Sequence, residues 1–227
     1  MKSKTKRFHI NEVFYEESQW KLLASLRDTA IEIMEALREL SPLVYGSLAR
    51  GDVHKNSDID IVIPYVIPSY LLEIYLSSFT IVERRLTQAT PWRLIKGQID
   101  LTDATVTFPL VQPTRVEYEF YRFGGFLTLD HLYENERISG VDKRLVCIEP
   151  TEKGHTELSI CEREHEIARR LNVSIDIITE RVKVLQRRDK VGRTGIFVSK
   201  ALHPDETFEA VLRDLTSRNT QFRRRGR

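Results

Sequence analysis

The sequence predicts a mixed α/β (α+β) fold with a mixed sheet in its first half and a smaller domain in its second half. Three observations lead to this prediction: helical and strand-like patterns alternate up to residue 112, Pro109 and Pro113 then interrupt the chain, and two helical patterns joined by a short turn follow. A chain of 227 residues is long enough for two modest domains. We therefore predict one domain over residues 1–112 and a second over residues 113–227.

The first predicted elements are a helix and a strand. Apolar residues recur at helical spacing from Glu17 to Leu40, and this pattern ends before Pro42, as is typical of an amphipathic helix that packs on a sheet. The next run, Pro42 to Tyr45, is apolar, contains residues that favour strands and stops at Gly46. The sequence therefore predicts a strand that ends in a tight turn.

The turn after this strand contains residues that suit phosphate binding. Gly46 has no Cβ, so the chain can bend sharply there and a ligand can approach the backbone closely. Ser47 adds a hydroxyl group and an N–H group that can point at phosphate oxygens. Arg50 offers a further phosphate contact, although an arginine in a polar loop is as often a surface charge. We expect Gly46, Ser47 and Arg50 to contact phosphate groups.

A second predicted strand contains two carboxylates. The segment Asp58 to Ile63 has the composition of a strand, Pro64 closes it, and a helical pattern follows over residues 68–79. Because strand side chains alternate between faces, Asp58 and Asp60 point the same way, with Cα atoms roughly 6.5 to 7 Å apart. Hard oxygen ligands in this arrangement suit Mg²⁺ or Mn²⁺, which complete their shells with water and phosphates. The sequence therefore predicts a divalent metal site on this strand.

A third carboxylate is expected from a neighbouring strand, because phosphoryl-type transfer commonly uses two metal ions about 3.5 to 4 Å apart. Residues 92–101 predict a hairpin that turns at Lys96-Gly97. Asp100 lies between two apolar residues in the strand-like alternation, whereas Asp103 lies where that alternation weakens. We prefer Asp100 as the third carboxylate and keep Asp103 as its rival.

Together, Gly46 to Asp52 and Ser57 to Ile61 resemble the signature of the DNA polymerase β-like nucleotidyltransferase superfamily. In that family the glycine and serine hold the triphosphate, the two aspartates bind both metal ions, and the third carboxylate binds the catalytic metal and acts on the acceptor hydroxyl. The resemblance covers roughly the first half of the chain. It implies an enzyme that uses Mg²⁺ or Mn²⁺ to transfer a nucleoside monophosphate from an NTP to a hydroxyl of an RNA, protein or small-molecule acceptor, releasing pyrophosphate. The implied nucleotide-binding residues are Gly46, Ser47 and Arg50, and the implied catalytic metal ligands are Asp58, Asp60 and Asp100.

The second half of the chain resembles a winged helix-turn-helix. Residues 162–171 predict one helix, residues 172–173 a short turn, and Ser174 the N-cap of a second helix. Residues 187–198 then predict a β-hairpin with a basic tip. A module of this kind is typical of proteins that bind RNA or DNA.

Basic side chains along the second helix and the predicted hairpin would then contact a phosphate backbone. Charges at this spacing are also typical of a solvated helix face in a small packed domain, so both interpretations stay open. Residues 222–227 form a basic tail that would add non-specific affinity for nucleic acid. The candidate nucleic-acid contacts are Arg181, Lys183, Arg187, Arg188, Lys190 and Arg193.

Composition excludes several other classes of protein. A net charge of +2 with 30% charged residues identifies no partner, because the opposite charges nearly cancel. Cys147 and Cys161 lack metal-ligand spacing, which argues against a disulfide scaffold and a structural zinc site. No apolar run is long enough to span a bilayer, and the N-terminal segment lacks the apolar stretch of a signal peptide. We expect a cytoplasmic protein with no membrane partner.

The sequence leaves two alternatives to this metal-dependent nucleotidyltransferase open. One is a nucleic-acid-binding regulator whose nucleotidyltransferase domain is degenerate or only senses nucleotides. The other is an antitoxin-like enzyme that nucleotidylates a partner protein, as some small members of the superfamily do.

Overall fold

The computed structural model describes residues 10–192, 195–218 and 222. The chain forms two units, and each is assembled from three separate stretches of sequence. The first unit comprises Met1–Asp28, Val44–Ser57 and Thr114–Thr194, and the second comprises Thr29–Leu43, Asp58–Pro113 and Gly195–Arg227. The predicted domain boundary at residue 112 concerns segments that fold independently, and it stays a prediction.

The described residues contain helices and strands that alternate along most of the chain, as the fold class requires. A short 3₁₀ turn, Arg38–Leu40, follows the first helix. In chain order the elements are β1 Asn11–Phe14, α1 Glu17–Ala36, β2 Leu43–Tyr45, α2 Ser47–Arg50, β3 Ile59–Val62, α3 Ser69–Tyr75, β4 Ile81–Gln88, β5 Ile95–Leu101, β6 Ala104–Pro109, α4 Arg115–Gly124, β7 Phe126–Thr128, α5 Leu129–Tyr133, β8 Gly140–Val141, β9 Val146–Thr151, β10 Gly154–Ser159, α6 Glu164–Arg170, α7 Ile175–Val191, β11 Val198–Ala201 and α8 Phe208–Arg218.

The second unit contains a mixed sheet with the strand order β11-β4-β5-β6-β3. Strand β3 runs parallel to β6, whereas the β11–β4, β4–β5 and β5–β6 pairs are antiparallel. The parallel pair requires a crossover between β3 and β6, and the chain makes it through α3, β4 and β5. The predicted mixed α/β fold is confirmed.

Strand β5 corrects one prediction from the sequence. The expected hairpin at Lys96-Gly97 is wrong, because β5 runs without interruption through both residues. Gly97 is needed for packing: a Cβ placed there would lie 2.3 Å from Cζ of Phe108 on β6. The glycine therefore makes room for an aromatic ring of the neighbouring strand rather than for a turn.

The C-terminal segment of the chain is part of the second unit. Strand β11 extends the sheet beside β4. Helix α8 begins at Phe208, whose fully buried ring packs edge-on against Phe108 with centroids 5.0 Å apart. The Glu209 carboxylate accepts hydrogen bonds from the Ser69 N–H (2.7 Å) and hydroxyl (2.8 Å), so it caps the start of α3. Residues 195–218 thus complete this unit rather than forming a free tail.

The first unit combines an antiparallel sheet, ordered β1-β10-β9-β8, with helices α4, α6 and α7. The predicted helix pair is confirmed: α6 ends at Arg170, Asn172 adopts a positive φ of 50° in the turn, and Ser174 is the N-cap of α7. Ile178 of α7 is fully buried in the core that these helices share with the sheet. Close packing of the two helices therefore follows from their apolar stripes.

The predicted β-hairpin over residues 187–198 is wrong. Helix α7 continues to Val191, so the first part of the expected hairpin is helical. The residues from Leu185 onward favour a helix, and the helix ends before Gly192, which has a φ of 83°. The next described strand, β11, pairs with β4 instead of folding back on the preceding residues. Arg193 and the basic tail residues 223–227 lie outside the described residues.

Within the part of the chain that the structure describes, no helix has both the length and the apolar character needed to cross a bilayer.

A buried polar network in the first unit predicts how stability depends on pH. The Tyr15 hydroxyl and His155 Nδ1 lie 2.6 Å apart, and Arg144 donates to Glu157, whose carboxylate also lies 3.8 Å from His155 Nε2. Burial lowers the pKa of the His155 imidazole. Burial raises the pKa of Glu157, but the hydrogen bonds and charge of Arg144 outweigh it and hold that pKa below its usual value.

Both lowered pKa values mean that the unfolded chain binds protons more readily than the folded one. The contribution of His155 is complete above its ordinary pKa of 6.5 and is lost as the pH falls through the lower folded value. The Glu157 contribution is lost in the same way below 4.5. We expect the free energy of unfolding, measured by urea denaturation, to fall from pH 7.5 to pH 4. His155→Gln should flatten the decline that begins near pH 6.5, and an unchanged slope in that variant would contradict the prediction.

Candidate functional site

The Gly46-Ser47 turn lies in the first unit. Strand β2 ends at Tyr45, and Gly46 turns the chain with φ 84° and ψ −142°, a conformation that L side chains rarely adopt. Its N–H donates a 2.9 Å hydrogen bond to the Gly125 carbonyl. A Cβ at Gly46 would meet no atom of the described residues within 4 Å, so the space beside the turn is open. The predicted strand and tight turn are confirmed.

The Ser47 side chain is joined to the end of the following loop. Its hydroxyl donates to Ser57 Oγ at 3.4 Å, a long hydrogen bond. Ser57 Oγ also accepts from the His54 N–H at 2.9 Å, and the Ser57 N–H donates to the His54 carbonyl at 2.8 Å. The weak Ser47–Ser57 bond is one that a stronger acceptor, such as a phosphate oxygen, can replace.

Arg50 is buried and has protein partners. Its guanidinium donates to the Gly124 carbonyl at 2.6 Å and to Asp52 Oδ2 at 3.0 Å, and Nε lies 3.0 Å from Asp52 Oδ1. Only 5% of Arg50 is exposed. The guanidinium therefore ties α2 to the end of α4 and to the loop after Gly51. A phosphate contact by Arg50 stays a prediction.

Asp52 is a residue that reasoning from the sequence leaves out of the site, because a loop carboxylate is seldom functional. The local signal was present in Arg50-Gly51-Asp52, because a turn at Gly51, which has φ 94°, can bring the two charged side chains together. We expect Asp52→Asn to lower the free energy of unfolding by about 3 kcal/mol, because it leaves the buried Arg50 charge without its counterion. Urea denaturation measures this loss. Glu152→Gln, at an exposed position, should change stability by less than about 0.5 kcal/mol, and an equally small effect of Asp52→Asn would contradict the prediction.

The candidate metal-binding carboxylates lie in the second unit. Asp58 is exposed and immediately precedes β3, Asp60 is half-buried within β3, and Asp100 is half-buried within β5. Asp60 lies opposite Thr105 of β6 in the parallel pair, and Asp100 lies opposite the same threonine in the antiparallel pair. Residues directly opposite each other point to the same face. Asp60, Thr105 and Asp100 therefore form one row across three strands, with about 9.6 Å between the outer Cα atoms.

The two rivals for the third carboxylate occupy different environments. Asp100 Oδ1 accepts hydrogen bonds from Gln98 Nε2 at 2.8 Å and from Thr105 Oγ1 at 2.9 Å. Asp103 is exposed in the bend between β5 and β6, outside the strand ladder. The geometry therefore brings Asp100, and not Asp103, into the row with Asp60. A metal-binding role for either residue stays a prediction.

The three candidate carboxylates provide oxygen donors of the kind that divalent metals bind. Among the described residues, no group of three or more His, Cys, Asp or Glu side chains is gathered in a metal-binding cluster. Asp58, Asp60 and Asp100 are nevertheless hard oxygen donors, and Asp60 and Asp100 share one face. Mg²⁺ is usually held by one or two carboxylates, with water and substrate phosphates completing its shell. The donor set therefore fits Mg²⁺ or Mn²⁺ chemically.

The basic residues of α7 have explanations within the protein. The Arg181 guanidinium lies over the Phe120 ring of α4, 5.0 Å from its centroid. The first turn of the helix contains Asp176 and the last turn contains cations, the order that the helix dipole favours. Nucleic-acid contact by these residues stays a prediction. The exposed cations of α7 are Lys183, Arg187, Arg188 and Lys190.

Comparison with known families agrees with this geometry. A sequence profile of the nucleotidyltransferase domain matches residues 28–184, a range that includes the Gly46-Ser47 turn and all three candidate carboxylates. No curated protein and no solved structure matches the chain. The profile covers well over half of the sequence and extends through both units. The chain therefore belongs to the nucleotidyltransferase domain family, whose general chemistry is transfer of a nucleoside monophosphate.

Proposed function

We propose that the protein is a metal-dependent enzyme that transfers a nucleoside monophosphate from an NTP to the hydroxyl group of an acceptor. The observation that carries this proposal is the register of the second unit, in which Asp60 and Asp100 flank Thr105 on one face of the sheet. Asp58, which immediately precedes β3 and lies two residues before Asp60, adds a third carboxylate. A nucleotidyltransferase needs such a set of oxygen donors.

Each residue has a defined part in the proposed reaction. Divalent metal, when bound, lowers the pKa of the attacking hydroxyl and neutralises the leaving pyrophosphate. Asp58, Asp60 and Asp100 would supply its oxygen ligands, and Asp100 would also act on the acceptor hydroxyl. Within the first unit, the Ser47 hydroxyl is a donor suited to a phosphate oxygen, and the space beside Gly46 is open. The acceptor hydroxyl loses its proton to the Asp100 carboxylate, its oxygen forms a bond to the α-phosphorus, and the bond to the leaving pyrophosphate breaks.

The test is label transfer from NTPs that carry radioactive phosphorus in the α-phosphate. The protein is incubated with each of the four NTPs, Mg²⁺ or Mn²⁺, and total RNA, DNA or cell protein as acceptor. We expect one acceptor class to be labelled, with release of pyrophosphate, and no labelling by Asp58→Asn. Asp103→Asn is the matched control and should retain transfer. Failure to label any acceptor, or transfer that Asp58→Asn leaves intact, would overturn the proposal.

The same experiment separates the alternatives. Label that is removed by ribonuclease indicates an RNA acceptor, and label that is removed by protease indicates the protein-modifying activity of an antitoxin-like enzyme. Absence of transfer together with tight nucleic-acid binding that Asp58→Asn leaves unchanged would support the regulator. In that case, neutral substitutions at Lys183 and Arg187 should weaken binding and reduce its dependence on salt.

A further inference from the structure

The Asp100 carboxylate receives two hydrogen bonds on a single oxygen atom. Gln98 Nε2 reaches Oδ1 at 2.8 Å from two residues earlier on β5, and Thr105 Oγ1 reaches it at 2.9 Å from β6. The torsion that rotates a carboxylate about its Cβ–Cγ bond has only broad preferences. Donors from two directions therefore set an orientation that the aspartate alone would not keep.

These bonds also distinguish the two oxygens of Asp100. A carboxylate has about two lone-pair sites on each oxygen, and the two donors occupy those of Oδ1. Neither of the two side-chain donors to Asp100 in the described residues binds Oδ2. Oδ2 is therefore the oxygen that remains for a ligand.

Thr105 is placed between the two half-buried aspartates of the row. It lies opposite Asp100 on one side of β6 and opposite Asp60 on the other. Its hydroxyl draws Oδ1 of Asp100 toward β6, in the direction of Asp60. The contact therefore fixes the Asp100 carboxylate from the strand that lies between the two aspartates.

We propose that Thr105 and Gln98 are positioning residues that hold Asp100 so that Oδ2 alone faces the divalent cation. This inference rests on the proposed function of the carboxylate row. Partners that orient a metal ligand without touching the metal commonly change metal affinity or activity by about 10- to 100-fold when they are removed. Neither residue has a recognisable sequence motif, because the pairing depends on the register between β5 and β6.

The test compares Thr105→Val with Thr105→Ser. Valine keeps the β-branched shape and strand propensity of threonine but removes the donor, whereas serine keeps the donor. The matched control is Thr107→Val, on the same strand and face and opposite Gln98, because no side-chain hydrogen bond joins Thr107 to Asp100. Gln98→Met removes the second donor and provides an independent variant if Thr105→Val does not fold.

Two readouts separate positioning from packing. The first is Mn²⁺ affinity, measured by electron paramagnetic resonance in the presence of an NTP analogue that cannot be cleaved between its α- and β-phosphates. The second is kcat and KM for the NTP in the label-transfer assay. We expect Thr105→Val and Gln98→Met each to weaken Mn²⁺ binding and lower kcat by about 10- to 100-fold. Thr105→Ser and Thr107→Val should stay close to wild type. Thr105→Val should cause little further loss when it is added to Asp100→Asn, since it acts through that carboxylate.

The outcomes distinguish this inference from the proposed function. If the wild-type protein transfers label and Asp58→Asn does not, but Thr105→Val and Gln98→Met match Thr107→Val in both readouts, the positioning role is overturned and the proposed function stands. A folded Thr105→Val that loses stability but keeps its Mn²⁺ affinity would likewise reduce Thr105 to a packing residue. If the wild-type protein neither binds Mn²⁺ nor transfers label, both proposals fail.

Discussion

Replacing Asp60 with asparagine is expected to lower the rate of nucleotidyl transfer by about 10³-fold. Asparagine keeps the size of the side chain but replaces a charged oxygen donor with a neutral amide. A loss of about 4 kcal/mol of transition-state stabilisation corresponds to this factor and is within what a bound metal ion supplies. Asp60 should be a sensitive position, because it lies within β3 and directly opposite Thr105.

The fold of the Asp60→Asn variant should be intact. Its neighbours Ile59 and Ile61 are buried on the opposite face of β3, and the substitution does not touch them. The measurement is single-turnover transfer at saturating Mg²⁺, with thermal unfolding as a check on folding. Asp103→Asn is again the control, since Asp103 lies in the exposed bend outside the row. A folded Asp60→Asn protein with transfer within tenfold of wild type would contradict the assignment.

The second large effect is expected far from the carboxylates in sequence. Phe208→Ala should lower the free energy of unfolding by about 3 to 5 kcal/mol. Phe208 is fully buried, and its ring packs on Phe108, which in turn fills the space left free by Gly97 of β5. Removing the ring leaves a cavity beneath the sheet. Because single domains are commonly stable by about 5 to 15 kcal/mol, this loss is a large fraction of the total.

Urea denaturation followed by circular dichroism measures the effect of Phe208→Ala. Arg213→Ala provides the control, because it changes an exposed residue of the same helix to the best helix former. The control should unfold at nearly the wild-type urea concentration. Equal midpoints for the two variants would show that α8 contributes little to the second unit. Nucleotidyl transfer by Phe208→Ala should disappear at a lower urea concentration than transfer by the control.

The local elements of this fold were predictable from the sequence. The apolar periodicity of α1, the strand that ends at Gly46 and the helix pair around Ser174 all depend on residues within one turn or one strand. The failures have a common cause. In each case the deciding contact is made by a residue distant in sequence. Gly97 has the sequence context of a turn, but it makes room for the Phe108 ring of the neighbouring strand. Residues 195–201 likewise contain no local pattern that indicates pairing with β4.

The candidate site shows the same division. Sequence alone determined the chemistry of its residues and the approximate position of strand β3, because residue type and strand pattern are properties of a short segment. The common face of Asp58 and Asp60 stays a prediction, since Asp58 precedes the strand. Only the tertiary structure decided that Asp100 shares a row with Asp60, that Thr105 binds its carboxylate, and that Asp52 neutralises Arg50. The shared row and the Thr105–Asp100 hydrogen bond depend on the register between strands. The Asp52–Arg50 ion pair depends on how the turn at Gly51 packs. Register and packing are set by the burial of many distant side chains together, which no short segment specifies.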